Sequence, residues 1–564
     1  MSRNNLTETE GLSEHLVLAE DTPSPLSKPR TTTMFSWNAA GNVAGALLFL
    51  FSFLSIAYLI AFPMRGFYNS DYADTLTWAK ASVDAKALFS EDFTYACLLP
   101  FGGQLLMMPF VAIFGYSYTA HACGMILFFL LFSLALFAFF RALGAHRFWA
   151  GLSLFCVVGP LCSTEKLREV YFGHILYYSL GGLFLLVGLT LVLSLPKDDK
   201  SKLPWRLFVF CAWCVLCSTD GLTSLTLFVL PLCTALVFER LCDKEVKFFS
   251  LANLRRSEPV LFAICASVAG LLLGARLRGG FEASYQAAFS TFSSNYDWQG
   301  NAELFFSSFL SLFTGSVNMY EPFTSFAGIC AALRILFGLF VLAAPVASLF
   351  FWKKLERGEK LLLVAHFTVC ATMLFAFVFG LLSNAEWRLS PMLFTSVLST
   401  VCVAQRLSVL PFLKRFGLLV VAFCVVISGL GFYSILSLKP DYAPNGSAAD
   451  LADYLEKRGC TYGYASFWEA NAITVLSDEA VQCRAIDIEE TVGSISPAYY
   501  QSENSWYKGQ GSDEKYFLLL SSTEHVLVCN SYPVIESYPT EFHKNYVLVY
   551  LPADLFEEAQ LCLR

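Results

Sequence analysis

Charge is what this sequence has least of. Asp, Glu, Lys and Arg make up 15% of its 564 residues, where a soluble globular domain carries about a quarter. The formal net charge is −7 and no basic tract appears outside the loops between apolar runs, which argues against a nucleic-acid partner. The chain does not open on a basic stretch followed by a short apolar one and a cleavage site, so a removed signal peptide is not expected. A clear internal repeat, the mark of many transporters, is missing as well. What fills the chain is apolar: 56% of it is hydrophobic, with 54 Phe. That exceeds what one soluble core buries, so lipid is the expected solvent for most of it.

Most of the 18 cysteines sit inside apolar runs, as Cys211, Cys214 and Cys217 do. They read as small buried apolar residues rather than as a redox or metal site. Cys460, Cys483, Cys529 and Cys562 fall in the polar C-terminal part; if that part is exported, disulfides among them are open, in a pairing that spacing does not give.

The chain divides into three parts. Residues 1–36 are polar and read as a disordered cytoplasmic tail. Residues 37–438 hold apolar runs near 39–62, 119–140, 148–163, 174–195, 206–218, 221–238, 259–275, 326–351, 361–382, 391–405 and 416–437, which predict about eleven transmembrane helices. The first serves as a retained signal anchor. With the N-terminus inside, Lys and Arg favour the inside loops more than twofold, as the positive-inside rule requires. The run 96–116 is broken by Pro100, Gly102, Gly103 and Pro109; a crossing there would invert the bias, so it is predicted to be interfacial or re-entrant. Leu304 to Phe313 is too short to span. An odd number of spans puts residues 439–564 outside, as a small α/β domain. There Ser447 is predicted to cap a helix ending at Arg458, stopped by Gly459. Strands are predicted at 462–466, 481–488, 516–520, 525–528 and 546–551. The fold class is therefore mainly α, a polytopic helical bundle with a C-terminal α/β domain.

The outer loops 63–118 and 276–325 are long, and function concentrates on elaborated loops. A charged group beside a span is costly and marks a functional site by default. Asp71 and Asp74 lie three residues apart, so on a helix they share a face. They read as a general base or a metal-contacting carboxylate, or else as N-cap and first-turn acids of an amphipathic helix. Glu165, Lys166, Arg168 and Glu169 crowd the second loop, with His174 at the next helix start; they read equally as a functional cluster or as a solvated turn with local ion pairs. Asp220 precedes Gly221 and reads as a turn residue at the membrane boundary. Arg388 suits phosphate through its planar fork, or snorkels beside Trp387. Trp468, Glu469 and Asn471 form an aromatic and polar cluster suited to sugar stacking, or a helix packing its aromatic face on the sheet. An acid base together with Arg and Lys phosphate clamps is equipment for transfer from a lipid-phosphate sugar donor.

With its many spans, its long first outer loop carrying Asn69-Ser70-Asp71-Tyr72-Ala73-Asp74, its partly embedded loop helix and its exported C-terminal part, the chain resembles the GT-C superfamily of membrane glycosyltransferases. The resemblance covers residues 40–440 in architecture. It implies a sugar moved from a polyprenyl-phosphate donor to a glycan, lipid or protein acceptor of the cell envelope, at the outer face of the plasma membrane. It implies Asp71 as the best catalytic candidate and Asp74 as the second, with Glu165 or Glu169 corresponding to a second outer-loop acid. Asp71 has no adjacent acid of the Asp-Glu or Asp-x-Asp kind, so the motif leaves a divalent cation open without specifying one. A lipid-linked saccharide transporter, or a non-catalytic scaffold or receptor, would carry the same composition. The transferase differs from both in needing Asp71 and a phosphate-binding cation at one outer pocket.

Overall fold

The computed structural model describes residues 37–195, 203–242, 258–281, 291–315, 317, 320–509 and 514–563. The predicted tail, 1–36, lies outside them. The described chain is a helical bundle capped at one end by a mixed sheet.

Each predicted span falls on a helix, because a backbone in lipid must satisfy its own hydrogen bonds. Among the described residues eight helices are long and apolar enough to cross a membrane, and nine if Glu165–Gly173 and Tyr178–Ser194, bent by 60°, count as one span. Arg147–Leu161 and Trp205–Ser218 are apolar but shorter. The broken run ends in the helix Gln104–Phe114, whose 11 residues are too few to cross. Trp298–Thr314 is longer than the predicted 304–313, since its first turns are polar, and at 17 residues it also falls short. Close crossings tie the bundle together. A Cβ on Gly151 would lie 2.2 Å from the carbonyl oxygen of Gly45, and one on Gly45 would lie 2.4 Å from that of Arg147, so only glycine admits this contact.

The two ends of the bundle gather different sets of loops. One end gathers Gly41 against His146, Arg206 against Ser194, Arg357 against Glu239 and Arg406 against Glu356. The other end gathers the first two outer loops and the C-terminal domain.

That domain is a six-stranded sheet in the order β3-β2-β1-β4-β6-β5, with β1 (Tyr462–Ser466), β2 (Gln482–Ile488), β3 (Ile495–Pro497), β4 (Tyr516–Ser521), β5 (Thr540–His543) and β6 (Tyr546–Tyr550). β1 runs parallel to β2 and β4, and the outer strands are antiparallel. Ser447 caps Ala448–Arg458 through the Asp450 amide, and Gly459 closes it at φ +68°. The predicted strand 525–528 is instead part of the helix Ser522–Ser531. Its Ser521 and Glu524 form a reciprocal capping box, an S-x-x-E signature that outweighs the apolar run inside it. The short strands β3 and β5 went unpredicted. All 18 cysteines are free thiols, so Cys460, Cys483, Cys529 and Cys562 are not paired.

The sheet docks on the first outer loop by backbone pairing. Gln501 donates to the Thr94 carbonyl at 3.0 Å, Thr94 to Ser502 at 3.1 Å, and Asn504 to Asp92 at 2.9 Å. The helix Phe467–Leu476 packs against the loop helix Ser70–Ala85.

Candidate functional site

The site begins at Asn69. Its side chain accepts from the Tyr72 amide at 3.2 Å and caps the loop helix Ser70–Ala85. Asp71 therefore is a first-turn acid and also a half-buried carboxylate at the top of the bundle. The second loop is fixed by Thr164, which caps Glu165–Arg168 through the Leu167 amide at 3.3 Å and donates to the Leu312 carbonyl at 3.0 Å. Glu165–Arg168 continues into a π-turn at Glu169–Gly173, which sets the acids and bases of that loop facing Asp71.

Lys166 is the centre of the cluster. Its Nζ is ion-paired to Glu169 and lies 4.2 Å from the Trp387 ring centroid. Burial raises the Asp71 carboxyl above the usual range, and the Lys166 charge opposes that rise. Burial pushes Glu169 up to about 6, again opposed by Lys166. His174 shares a hydrogen bond of 3.2 Å between its Nδ1 and the Asp71 carbonyl. Burial lowers its pKa to about 4, so the ring is neutral at pH 7. Asp71, Lys166, Glu169 and His174 thus form one constellation drawn from two outer loops.

Beside it opens a cavity of about 730 Å³. Glu165, Lys166 and Arg168 line one wall, and Ser307, Ser308, Ser311 and Thr314 of the second long outer loop line the other. Two carboxylates, Glu165 and Glu386, share this lining with the two cations; Lys166, Arg168 and the facing hydroxyls are the groups able to donate to an anion's oxygens. The hydroxyls were not singled out in the sequence, although serines at 307, 308 and 311 recur at helical spacing in an apolar segment. Trp387 was read only as a membrane-belt residue, and its ring is what Lys166 rests on.

Of the nine predicted site residues only Glu165, Lys166 and Arg168 line this cavity; Asp71, Glu169 and His174 belong to the cluster around Lys166 without lining it, and the other three have partners elsewhere. Asp74 is 6% exposed and points to the sheet domain, where it accepts from the amide of Gln501. Gln501 in turn accepts from Trp78 Nε1 at 2.6 Å. Burial raises the Asp74 carboxyl well above its usual range, and the charge of Asp71 adds to this. Asp220 accepts from the Phe101 amide at 2.9 Å, pinning the broken segment that precedes Gln104–Phe114. Its carboxyl is pushed up to about 7 by burial, with Arg278 opposing. Arg388 is buried and donates to the Leu381 carbonyl at 2.8 Å. Among the described residues no group of three or more His, Cys, Asp or Glu is placed to share a metal ion.

Comparison with known proteins agrees with this architecture. No family model and no curated protein matches the sequence. Among solved structures, ArnT from Cupriavidus metallidurans matches both in its apo state and bound to undecaprenyl phosphate, each with a TM-score of 0.50 and 12% identity, over 91% of this chain and 98% of that one. An Archaeoglobus fulgidus oligosaccharyltransferase complex with zinc and sulfate matches with a TM-score of 0.46 and 11% identity, over 84% of this chain and 68% of that one. The chain is a multi-pass membrane protein whose fold is like that of ArnT.

Proposed function

We propose that this protein transfers a sugar from a polyprenyl-phosphate donor to a cell-envelope acceptor on the non-cytoplasmic face of the plasma membrane. Residues 37–438 form the membrane body and residues 439–564 the exported cap. The observation that carries the reading is the half-buried Asp71 set beside Lys166, where Lys166 also lines the 730 Å³ cavity. The donor's phosphate occupies that cavity between Lys166, Arg168 and the facing hydroxyls, and its chain lies in the lipid alongside. The ArnT structure that holds undecaprenyl phosphate supports a polyprenyl lipid as the partner.

In the transfer, an acceptor hydroxyl attacks the anomeric carbon. Asp71 takes the hydroxyl proton as the new C–O bond forms. The bond from that carbon to the phosphate oxygen breaks, and polyprenyl phosphate leaves with the electron pair, its growing charge stabilised by Lys166 and Arg168. Glu169 holds Lys166 in place, and neutral His174 braces the Asp71 backbone. Asp74 sets the loop helix through Gln501, while Asp220 and Arg388 brace the loops behind the site.

The test is transfer of radiolabelled sugar from polyprenyl-phosphate donors by purified protein, with Asp71→Asn beside the native chain. Turnover that disappears in the folded variant supports the assignment. Full activity in the variant would keep the transferase and remove Asp71 as its base. Absence of turnover from a broad panel of donors and acceptors would shift the reading to a lipid-linked saccharide transporter or a scaffold.

A further inference from the structure

A second cavity, of about 350 Å³, lies where the sheet domain meets the first outer loop. Its walls come from Gly66–Asn69, from Tyr442 to Ala448, from Glu165, and from Trp468 and Glu469 at the start of the helix Phe467–Leu476. Glu165 lines both cavities, so the two adjoin across one side chain.

The two linings differ in kind. The first sets the cations Lys166 and Arg168 beside the carboxylates Glu165 and Glu386. None of the described residues lining the second carries a positive charge, and two of them, Glu165 and Glu469, are carboxylates. Arg168 does lie over the Phe67 ring, 5.6 Å from its centroid, but it lines the neighbouring cavity. The second lining is also aromatic. Phe67 and Tyr442 stack at 4.6 Å with an interplanar angle of 25°, and the Trp468 ring, 56% exposed, stands free of the domain core. Glu469 accepts from Tyr546 at 2.8 Å and from Ser466 at 2.7 Å, one bond to each carboxylate oxygen, which fixes its carboxylate in the lining. The approach between the loops is close: a Cβ on Gly66 would lie 2.0 Å from the Tyr442 carbonyl oxygen. The wall is therefore a fixed junction of two parts of the chain.

An exposed tryptophan offers an apolar face to the C–H surface of a sugar ring, and carboxylates and Asn69 accept or donate to its hydroxyls. Two carboxylates without a cation repel phosphate and carboxylate groups. We infer that this cavity is a saccharide site selective for neutral or amino-bearing sugars over anionic ones, with Trp468 as its stacking platform. The inference rests on the transferase reading for its meaning, since such a site next to the donor cavity holds the acceptor. The geometry of the site itself does not depend on turnover.

Binding of the full-length protein, held in lipid nanodiscs, to an array of neutral, amino-bearing, and phosphorylated or sulfated saccharides tests it. The native chain is expected to bind neutral or amino-bearing saccharides and to leave the anionic set unbound. Trp468→Ala should weaken that binding roughly tenfold, and Trp468→Phe should restore most of it. Glu239→Gln, at the opposite end of the bundle and in neither cavity, should bind as the native chain does. Binding only to anionic saccharides, binding indifferent to Trp468→Ala, or no binding anywhere on the array would each overturn the inference. Saccharide binding without transfer from any donor would retain the site and remove the transferase reading. Transfer whose acceptor KM is the same in Trp468→Ala would do the reverse.

Discussion

The two ends of the bundle hold similar charged residues in different settings. At the end with Glu239, Arg357 and Arg406, charges cancel in pairs that water still reaches. Arg357 meets Glu239 at 2.5 Å and 3.1 Å, and Arg406 meets Glu356 at 2.7 Å. At the other end Glu169, His174, Asp74 and Asp220 are buried, and the cluster around Lys166 borders a cavity instead of closing on itself. A charge at a membrane boundary is thus not enough to mark a site. What differs between the ends is burial and, for Lys166, adjoining open volume.

The largest test of that contrast is Asp71→Asn, expected to lower transfer by about 10²–10⁴-fold, the usual share of a general base. Single-turnover assays with the folded variant measure it, and a loss below tenfold would place the base elsewhere. Next is Gln501→Ala. It leaves the buried Asp74 carboxylate without its amide partner and should cost about 1–3 kcal/mol, read as a lower unfolding temperature of the purified protein. An unchanged midpoint would mean that the sheet domain is held without this tie.

Lys166→Gln is expected to act on pH dependence. Asp71 must be ionised to accept a proton, so activity rises with pH through its pKa. The Lys166 charge pulls that pKa down against burial; without it the pKa climbs and the acid limb of the pH–rate profile moves to higher pH. A limb that stays in place would separate Lys166 from Asp71. The smallest effect belongs to the opposite end. Glu239→Gln should change stability by about 1 kcal/mol or less, as water-accessible ion pairs do, and leave transfer unaltered. A large loss of activity there would erase the contrast between the ends.

Much of the fold was legible because its signals are local. Apolar runs of sufficient length declare helices in lipid, Ser447 and Gly459 bracket their helix through short-range caps, and β1 follows from an apolar run between turn signals. The miss at 525–528 was local too, since Ser521 and Glu524 carried the capping box that turns the segment helical. The site was only partly legible. Asp71 and the second-loop charges were visible as costly groups beside spans. Asp220 and Arg388 were visible for the same reason, yet they brace loops, because a sequence does not say whether a charge finds a backbone partner.

The sequence by itself determined the membrane body, the grouping of its loops and the presence of a polar C-terminal domain, since hydropathy, charge bias and caps act over a few residues to one span. Only the tertiary structure decided which charges converge. Gln501 reaches Asp74 across 427 residues, Tyr171 reaches Ser390 across 219, and the cavities open where loops from distant spans meet. Contacts of that range depend on how helices pack and where the sheet docks, and no short-range pattern encodes either.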